Sequence, residues 1–263
     1  SSVFNFINVH KFVDIRPMKN YNVRRHFKAI FIFFSMSCAT VIYTNLDNVM
    51  LGLMKTNIDV GYYNAAVKVK SILVSLVTSL GTVLLPRTSY FIEYGLKDEF
   101  FQITRKAINF VLIIAPAMAL YFMTFSKESI LLLSGKEYYG AIMPMKIIMP
   151  TLVFIGLTNI MGTQMLVPLG KEKYVLYSEV AGALIDIILN MILIPKMAAV
   201  GAAIGTLVAE IIVCIVQYTF LRTQIELAYK NIKYIKIIMA LSIGFLGSFW
   251  LKALNLNNLL TLV

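Results

Sequence analysis

The chain has 263 residues, of which 59% are hydrophobic and 14% are charged, and its mean hydropathy is +0.79. Soluble domains are nearer half apolar and a quarter charged, so this composition argues against a soluble protein and for several membrane-spanning helices. The net charge of +11 would suggest nucleic acid binding in a soluble protein, but in a membrane protein it is typical of cytoplasmic loops.

Apolar stretches alternate with charged connections along the whole chain. Each stretch is close to or above the roughly 20 residues that a hydrocarbon core of ~30 Å requires. Such lengths far exceed the roughly 10 alternating residues of a membrane β-strand, so an all-α, polytopic fold is predicted. The predicted spans are residues 28–54, 60–85, 107–126, 141–167, 174–195, 198–221 and 234–251, with an eighth beginning near residue 256.

Lys and Arg are concentrated in alternate connections. Residues 1–28 hold six of them, residues 86–106 four, residues 168–173 two and residues 222–236 four, whereas the intervening connections hold five in all. Because positively charged loops stay in the cytoplasm, residue 1 is predicted to lie on the cytoplasmic side, and no nucleic acid partner is needed to explain the charge. Residues 1–15 and 86–106 mix aromatic and charged side chains, which predicts helices at the membrane interface.

A polar face of the second span marks a candidate cavity. A charge within the bilayer costs about 2.5 to 3.5 kcal/mol and usually faces water or a partner. Lys68 lies on this polar face, whereas Lys70 lies about 200° further around the helix, on the side of several valines. Lys68 is therefore the preferred cavity residue. The other polar positions of the face are Asn64, Ser71, Ser75, Thr78 or Ser79, and Thr82.

The first span has a matching polar stripe that includes Asp47, with Asn48 beside it. Counted from the turn near Asn57, Asp47 and Lys68 both come out ~15 Å below the external surface. The two side chains are therefore at a depth where they could meet. They form either a structural ion pair between two helices or a switchable element in a substrate path.

Three further acids lie in the fifth and sixth spans. Glu179 and Asp186 share one helix face with Gly182 and Asn190, and two acids on a single stripe exceed what packing requires. Glu210 lies two to three turns inside the sixth span, where it is either functional or bonded to a nearby Ser or Thr. The same span has a ridge of small residues that predicts close helix packing, formed by Gly201, Gly205 and Ala209.

The fourth span contains Lys146 between Pro144 and Pro150. Proline removes an amide donor and permits a bend, so a broken helix is predicted, which is a feature common in transporters. No catalytic or metal-binding motif is present in the sequence. Cys38 and Cys214 lie in apolar stretches, so neither a disulfide nor a zinc site is indicated, and no cofactor is predicted.

Several short stretches, taken together in their order and spacing, resemble the polysaccharide transporter family. This family contains the flippases for O-antigen and capsule repeat units, within the multidrug/oligosaccharidyl-lipid/polysaccharide exporter superfamily. The stretches are residues 44–52, 59–66, 84–87 and 133–139, and residues 190–195 running into 200–206 and Glu210.

The resemblance implies two bundles of about six helices around a central cationic cavity that opens alternately to either side. Spans one to six then form the second bundle, over residues 28–222, after a connecting segment over residues 1–27. Residues 223–263 supply an additional helix and the start of another. The first bundle would be absent, and a start at Ser1 and an end within an apolar run lead us to expect missing sequence at both ends.

The resemblance also implies a function in the bacterial cytoplasmic membrane. Family members move undecaprenyl-pyrophosphate-linked oligosaccharides to the external leaflet, alongside membrane lipids and the polymerase and chain-length proteins of the pathway. Lys68 would hold the pyrophosphate, with a proton or sodium ion coupled to Glu179, Asp186 or Glu210. The other expected substrate-binding residues are Asp47, Asn48, Asn64, Lys146 and Asn190.

Other functions remain open at this point. A multidrug exporter or a peptidoglycan-precursor flippase of the same superfamily would share these features. A membrane-embedded glycan polymerase or ligase handles the same lipid-linked sugars, but it generally needs a large external loop, and the external connections here are short. A purely structural subunit would not require the charges within the spans.

Overall fold

The computed structural model describes residues 23–229, 239, 241–242 and 244–247. All regular structure within these residues is helical, which confirms the all-α prediction. The elements in chain order are α1 (Val23–Met54), α2 (Asn57–Glu93), α3 (Lys97–Thr124), α4 (Ser126–Leu133), a 3₁₀-helix (Lys136–Ala141), α5 (Ile142–Ile148), α6 (Thr151–Asn159), a π-helix (Ile160–Leu166), α7 (Glu172–Met197) and α8 (Ala199–Tyr229).

The described helices make this chain a multi-pass membrane protein. Four of them are long and apolar enough to cross a membrane, and one bent pair supplies a fifth candidate span if it counts as a single crossing. These elements correspond to predicted spans two to six. They are Asn57–Glu93, Lys97–Thr124, Glu172–Met197 and Ala199–Arg222, and the bent pair Lys136–Ile148 with Thr151–Leu166.

The first, seventh and eighth predicted spans are not established by the described helices. The first falls within α1, which has 32 residues and is not among the four long apolar helices, so its crossing stays a prediction. The seventh, residues 234–251, and the eighth lie outside the described residues apart from a few positions.

The segment predicted as an interfacial helix, residues 86–106, instead belongs to two long helices. Helix α2 continues through Pro86 to Glu93, and α3 begins at Lys97 after a short turn. Packing explains the difference, because Phe100 is fully buried and Phe91 packs against the hydrophobic core. The aromatic residues of this segment therefore extend the α2–α3 hairpin.

The predicted break in the fourth span is confirmed. Its two halves are bent by 49° where α5 gives way to α6. Pro150 lies at the break and lacks the amide hydrogen that would continue the helical ladder. The second half then ends in the π-helix, a wider form often found at functional sites.

The close packing predicted for the sixth span is also confirmed. A Cβ atom at Gly201 would lie only 2.5 Å from the backbone oxygen of Leu193. The start of α8 therefore contacts the end of α7 backbone to backbone. This contact sets the angle at which the two helices form a hairpin.

A capping box begins α2 immediately after the α1–α2 turn. The hydroxyl of Thr56 accepts a hydrogen bond from the Asp59 amide, and the Asp59 carboxylate accepts one from the Thr56 amide at 3.2 Å. This reciprocal pair satisfies two amide donors that the first turn of a helix leaves unpaired. The turn between α1 and α2 is thereby fixed.

We expect Thr56→Ala to increase the amide hydrogen exchange rate of residues 57–60 about fivefold, because losing an N-cap costs about 1 kcal/mol. Hydrogen exchange with mass spectrometry on the complete protein measures this rate. Thr56→Ser keeps the hydroxyl and is the matched control. Equal exchange in the two variants would show that the capping box does not stabilise the turn.

Candidate functional site

A cavity of about 650 Å³ lies within the bundle. Helices α1, α2, α6, α7 and α8 and the π-helix all contribute to its walls, and each long helix supplies polar side chains. The lining residues are Thr40, Thr44, Asn45, Asn48, Asn64, Val67, Lys70, Ser71, Val74, Ile155, Thr158, Asn159, Gly162, Thr163, Val175, Glu179, Glu210, Val213 and Gln217.

Lys70 is the lysine of this cavity, so the expectation that Lys68 faces it is wrong. Lys70 is half-buried and lines the cavity, whereas Lys68 is exposed and lies outside the lining. Helical geometry gives the reason, because successive residues are about 100° apart. The cavity meets the face of α2 around Val67 and Val74, where Lys70 lies between them, and Lys68 points about 100° away from Val67.

Negative charge surrounds Lys70. The carboxylates of Glu210, Asp47 and Asp186 all attract its ammonium group. Glu210 also lines the cavity, together with Glu179. With one lysine and two glutamates, this lining is not cationic, unlike the cavity that the family resemblance implies.

Glu179 joins the first and fifth predicted spans. The hydroxyl of Thr40 on α1 donates to Oε2 of Glu179 on α7 at 3.0 Å. At the preceding residue of α7, Ser178, the hydroxyl accepts a hydrogen bond from Nε2 of Gln217 on α8 at 3.0 Å. The polar contacts of α7 therefore tie it to helices on both of its sides.

A second polar group is buried outside the cavity lining, and we call it the Asp47 cluster: Asp47, Tyr63, Asp186, Asn190 and Thr206. Asp47 is only 2% exposed. Its carboxylate accepts hydrogen bonds from the Tyr63 hydroxyl, from Nδ2 of Asn190 at 2.5 Å and from Oγ1 of Thr206 at 2.9 Å. Three donors on α2, α7 and α8 therefore engage Asp47, and the contact with Lys68 that the sequence left open is not among them.

Several oxygens of the Asp47 cluster have no donor. The carboxylates of Asp186 and Asp47 are close enough to repel each other, and neither oxygen of Asp186, nor Oδ1 of Asn190, has a hydrogen-bond partner in the described structure. Gly205 allows the side chains of Asn190 and Asp186 to lie close against α8. A Cβ atom at position 205 would lie 2.4 Å from Oδ1 of Asn190 and 2.9 Å from Oδ1 of Asp186.

Unpaired carboxylate oxygens in a buried site are costly unless a proton or a cation joins them. One proton between Asp47 and Asp186, or one small cation held by their oxygens, would satisfy the cluster. In the described part of the chain no three His, Cys, Asp or Glu side chains meet as a metal site. A cation here would therefore also need the amide oxygen of Asn190 and the hydroxyl of Thr206 as ligands.

The structure separates the residues predicted to form one site. Asn48 and Asn64 line the cavity, as do Glu179 and Glu210. Lys146 is half-buried on α5 and is not part of the lining. The other three predicted residues belong to the Asp47 cluster: Asp47, Asp186 and Asn190.

Tyr63 was not predicted from the sequence, because tyrosine is not counted among the polar residues that define a polar helix face. Thr206 was assigned no role from the sequence either. The lining residues Thr158, Asn159 and Thr163 were also missed, although their polar side chains occur beside the break in an otherwise apolar span.

Comparison with known proteins shows what parts of the chain are similar to. Residues 4–92 match the polysaccharide biosynthesis protein family. An uncharacterized membrane protein of Methanocaldococcus jannaschii is 29% identical over 76% of this chain and 39% of its own length. A candidate O-antigen transporter of Escherichia coli is 25% identical over 78% of this chain and 49% of its own length. A candidate O-antigen transporter of Shigella dysenteriae is 27% identical over 79% of this chain and 51% of its own length.

A solved structure, the lipid II flippase MurJ in an inward closed conformation, has a similar fold. The TM-score is 0.73 at 18% identity, and the match covers 99% of this chain and 56% of that chain. At this identity the likeness concerns the fold alone. The chain spans about half the length or less of the curated relatives above. Over residues 4–92 the chain is thus similar to the polysaccharide biosynthesis protein family.

Proposed function

We propose that the complete protein is a flippase that moves lipid-linked oligosaccharide repeat units across the bacterial cytoplasmic membrane for O-antigen, capsule or exopolysaccharide synthesis. The observation that supports this most is Lys70 in a cavity lined by amides and hydroxyls. An ammonium group binds phosphate oxygens as a point charge. The amides and hydroxyls, including Asn48 and Asn64, suit sugar hydroxyls, and the polyprenyl tail stays in the bilayer.

The chain supplies one of two bundles in this proposal. It forms the second six-helix bundle over residues 28–222, preceded by a connecting segment on the cytoplasmic side and followed by additional helices over residues 223–263. Its coverage of 56% of the MurJ chain is consistent with this division. A further bundle would close the open side of the cavity and add the positive charge that this lining lacks.

The Asp47 cluster is the proposed ion-coupling site, for a proton or for sodium. Without the ion, the carboxylates of Asp47 and Asp186 attract Lys70 and compete with the substrate phosphate. With the ion, their charge is neutralised and Lys70 is available to the pyrophosphate. Ion binding and substrate binding then become coupled through one side chain, as reciprocal linkage requires.

The acids of the lining have other roles in this mechanism. Glu210 shares the cavity lining with Lys70 and attracts its ammonium group, and it would keep the ammonium in place when the cavity holds no anion. Glu179 is anchored by Thr40 and is placed to accept hydrogen bonds from sugar hydroxyls.

The experiment is deletion of the complete gene in its host. Mass spectrometry of extracted lipids then quantifies undecaprenyl-pyrophosphate-linked oligosaccharide beside surface polysaccharide. We expect lipid-linked units to accumulate and surface polysaccharide to disappear, with both restored by the complete gene. Unchanged lipids and polysaccharide, or accumulated peptidoglycan precursor, would overturn the proposal in favour of drug export or cell-wall precursor transport.

A further inference from the structure

A second cavity, of about 440 Å³, lies between α2 and α3 near the turn that joins them. It shares no lining residue with the first cavity. Both helices are candidate membrane spans, and the turn at residues 94–96 lies at one end of them. The groove therefore lies near one end of two candidate membrane spans, and we call it the hairpin groove.

The hairpin groove is amphipathic along its length. Apolar side chains line it from both helices: Leu80 and Leu84 on α2, and Ile103 and Ala107 on α3. Arg87 also lines it, about 10 Å further along α2 than Leu80 at 1.5 Å rise per residue. On α2 the lining therefore changes from apolar to charged toward the turn, and this change matches the profile of a lipid at the membrane boundary.

The charged residues of the groove are available for a ligand. Arg87 and Lys106 face it from opposite helices, with Glu99 and Gln102 beside them. The contact that Arg87 makes is with the ring of Phe91, whose centroid lies 5.6 Å from the guanidinium carbon. Within the described residues, neither Arg87, Lys106 nor Glu99 makes a hydrogen bond or an ion pair. Two cations and one carboxylate thus share a groove without neutralising one another.

We propose that the hairpin groove binds a zwitterionic phospholipid with a primary amine, such as phosphatidylethanolamine. The lipid phosphate binds between Arg87 and Lys106, since a guanidinium and an ammonium match phosphate oxygens. The lipid ammonium donates to Glu99, and the start of an acyl chain lies along Leu80 and Leu84.

The alternatives fit the groove less well. Inorganic phosphate would leave the apolar side chains of the groove in contact with water. A lipid with a purely anionic headgroup would leave Glu99 unpaired beside a second negative charge. A choline headgroup has no N–H to donate to the carboxylate. The charge pattern therefore favours a headgroup that has both a phosphate and a primary ammonium.

The test is native mass spectrometry of the purified complete protein, titrated with phosphatidylethanolamine, phosphatidylglycerol and phosphatidylcholine. We expect the wild type to bind phosphatidylethanolamine about tenfold more tightly than either of the others, the factor associated with one charge-assisted hydrogen bond. Arg87→Gln should weaken phosphatidylethanolamine binding about tenfold. Lys97→Gln removes a neighbouring exposed cation outside the groove and should leave binding unchanged.

Glu99→Gln gives a readout that does not depend on how much protein folds. The ratio of phosphatidylethanolamine to phosphatidylglycerol bound in one sample should fall from about ten to near one. A wild type that prefers phosphatidylglycerol, or an Arg87→Gln variant that retains phosphatidylethanolamine as the wild type does, would overturn the proposal. No transport is measured, so these results are independent of the proposed function.

Discussion

Replacing Lys70 by glutamine in the complete protein is expected to reduce polysaccharide export at least tenfold, the loss associated with one charge-assisted hydrogen bond to phosphate. Lys70 is the lysine of the cavity lining, and glutamine keeps a polar side chain of similar length without the charge. Lipid-linked oligosaccharide should accumulate in cells that express this variant. Mass spectrometry of lipids and surface polysaccharide measures both quantities.

Lys68→Gln is the matched control, because it removes the same charge two residues away from an exposed position. Export by this variant should stay near the wild-type level when the amount of protein in the membrane is equal. If the two variants lost export equally, the charge of the segment would matter and the cavity would not. If Lys70→Gln exported normally, the assignment of the pyrophosphate to Lys70 would be wrong.

The second large effect is expected at Asp186. Asp186→Asn should remove the dependence of transport on the ion gradient and slow transport at least tenfold. Its stability should rise by about 1 kcal/mol, because the new amide can donate to Asp47 where two unpaired carboxylate oxygens now lie. Loss of transport with a gain in stability would separate an ion-coupling role from a structural one.

Proteoliposomes with an imposed sodium or pH gradient measure the dependence, and thermal unfolding in detergent measures the stability. The ion that drives the wild type identifies the coupling ion. Asp98→Asn, which changes an exposed acid at the start of α3, is the control and should keep the gradient dependence. An Asp186→Asn protein that still responds to the gradient would remove the Asp47 cluster from the coupling mechanism.

Hydropathy predicted helix positions well in this chain, because the bilayer requires long apolar segments whatever their neighbours are. The break near Pro150 was predictable for the same local reason, since a missing amide hydrogen acts within its own helix. The division of residues 86–106 between α2 and α3 was not predictable from the sequence. Whether Phe100 lies on the interface or in the core depends on which helix is packed against it.

The site was only partly predictable, because it depends on rotation of one helix against another. Counting polar residues on α2 favoured Lys68, but the cavity meets the face that holds Val67, Lys70 and Val74. The side of α2 that faces the cavity includes valines, so the pattern of polar residues alone did not identify that side. Depth counting placed Asp47 at the level of Lys68. It gave no direction for the carboxylate, which binds Tyr63, Asn190 and Thr206 instead.

The central claim is tested most directly by transport in vitro with the purified complete protein. Proteoliposomes are prepared with undecaprenyl-pyrophosphate-linked oligosaccharide in the membrane, and the fraction reached by an external glycosidase is followed with time. The account predicts that this fraction rises faster than in protein-free liposomes and that Lys70→Gln, unlike Lys68→Gln, abolishes the difference. A rate equal to that of protein-free liposomes, or one that Lys70→Gln leaves unchanged, would contradict it.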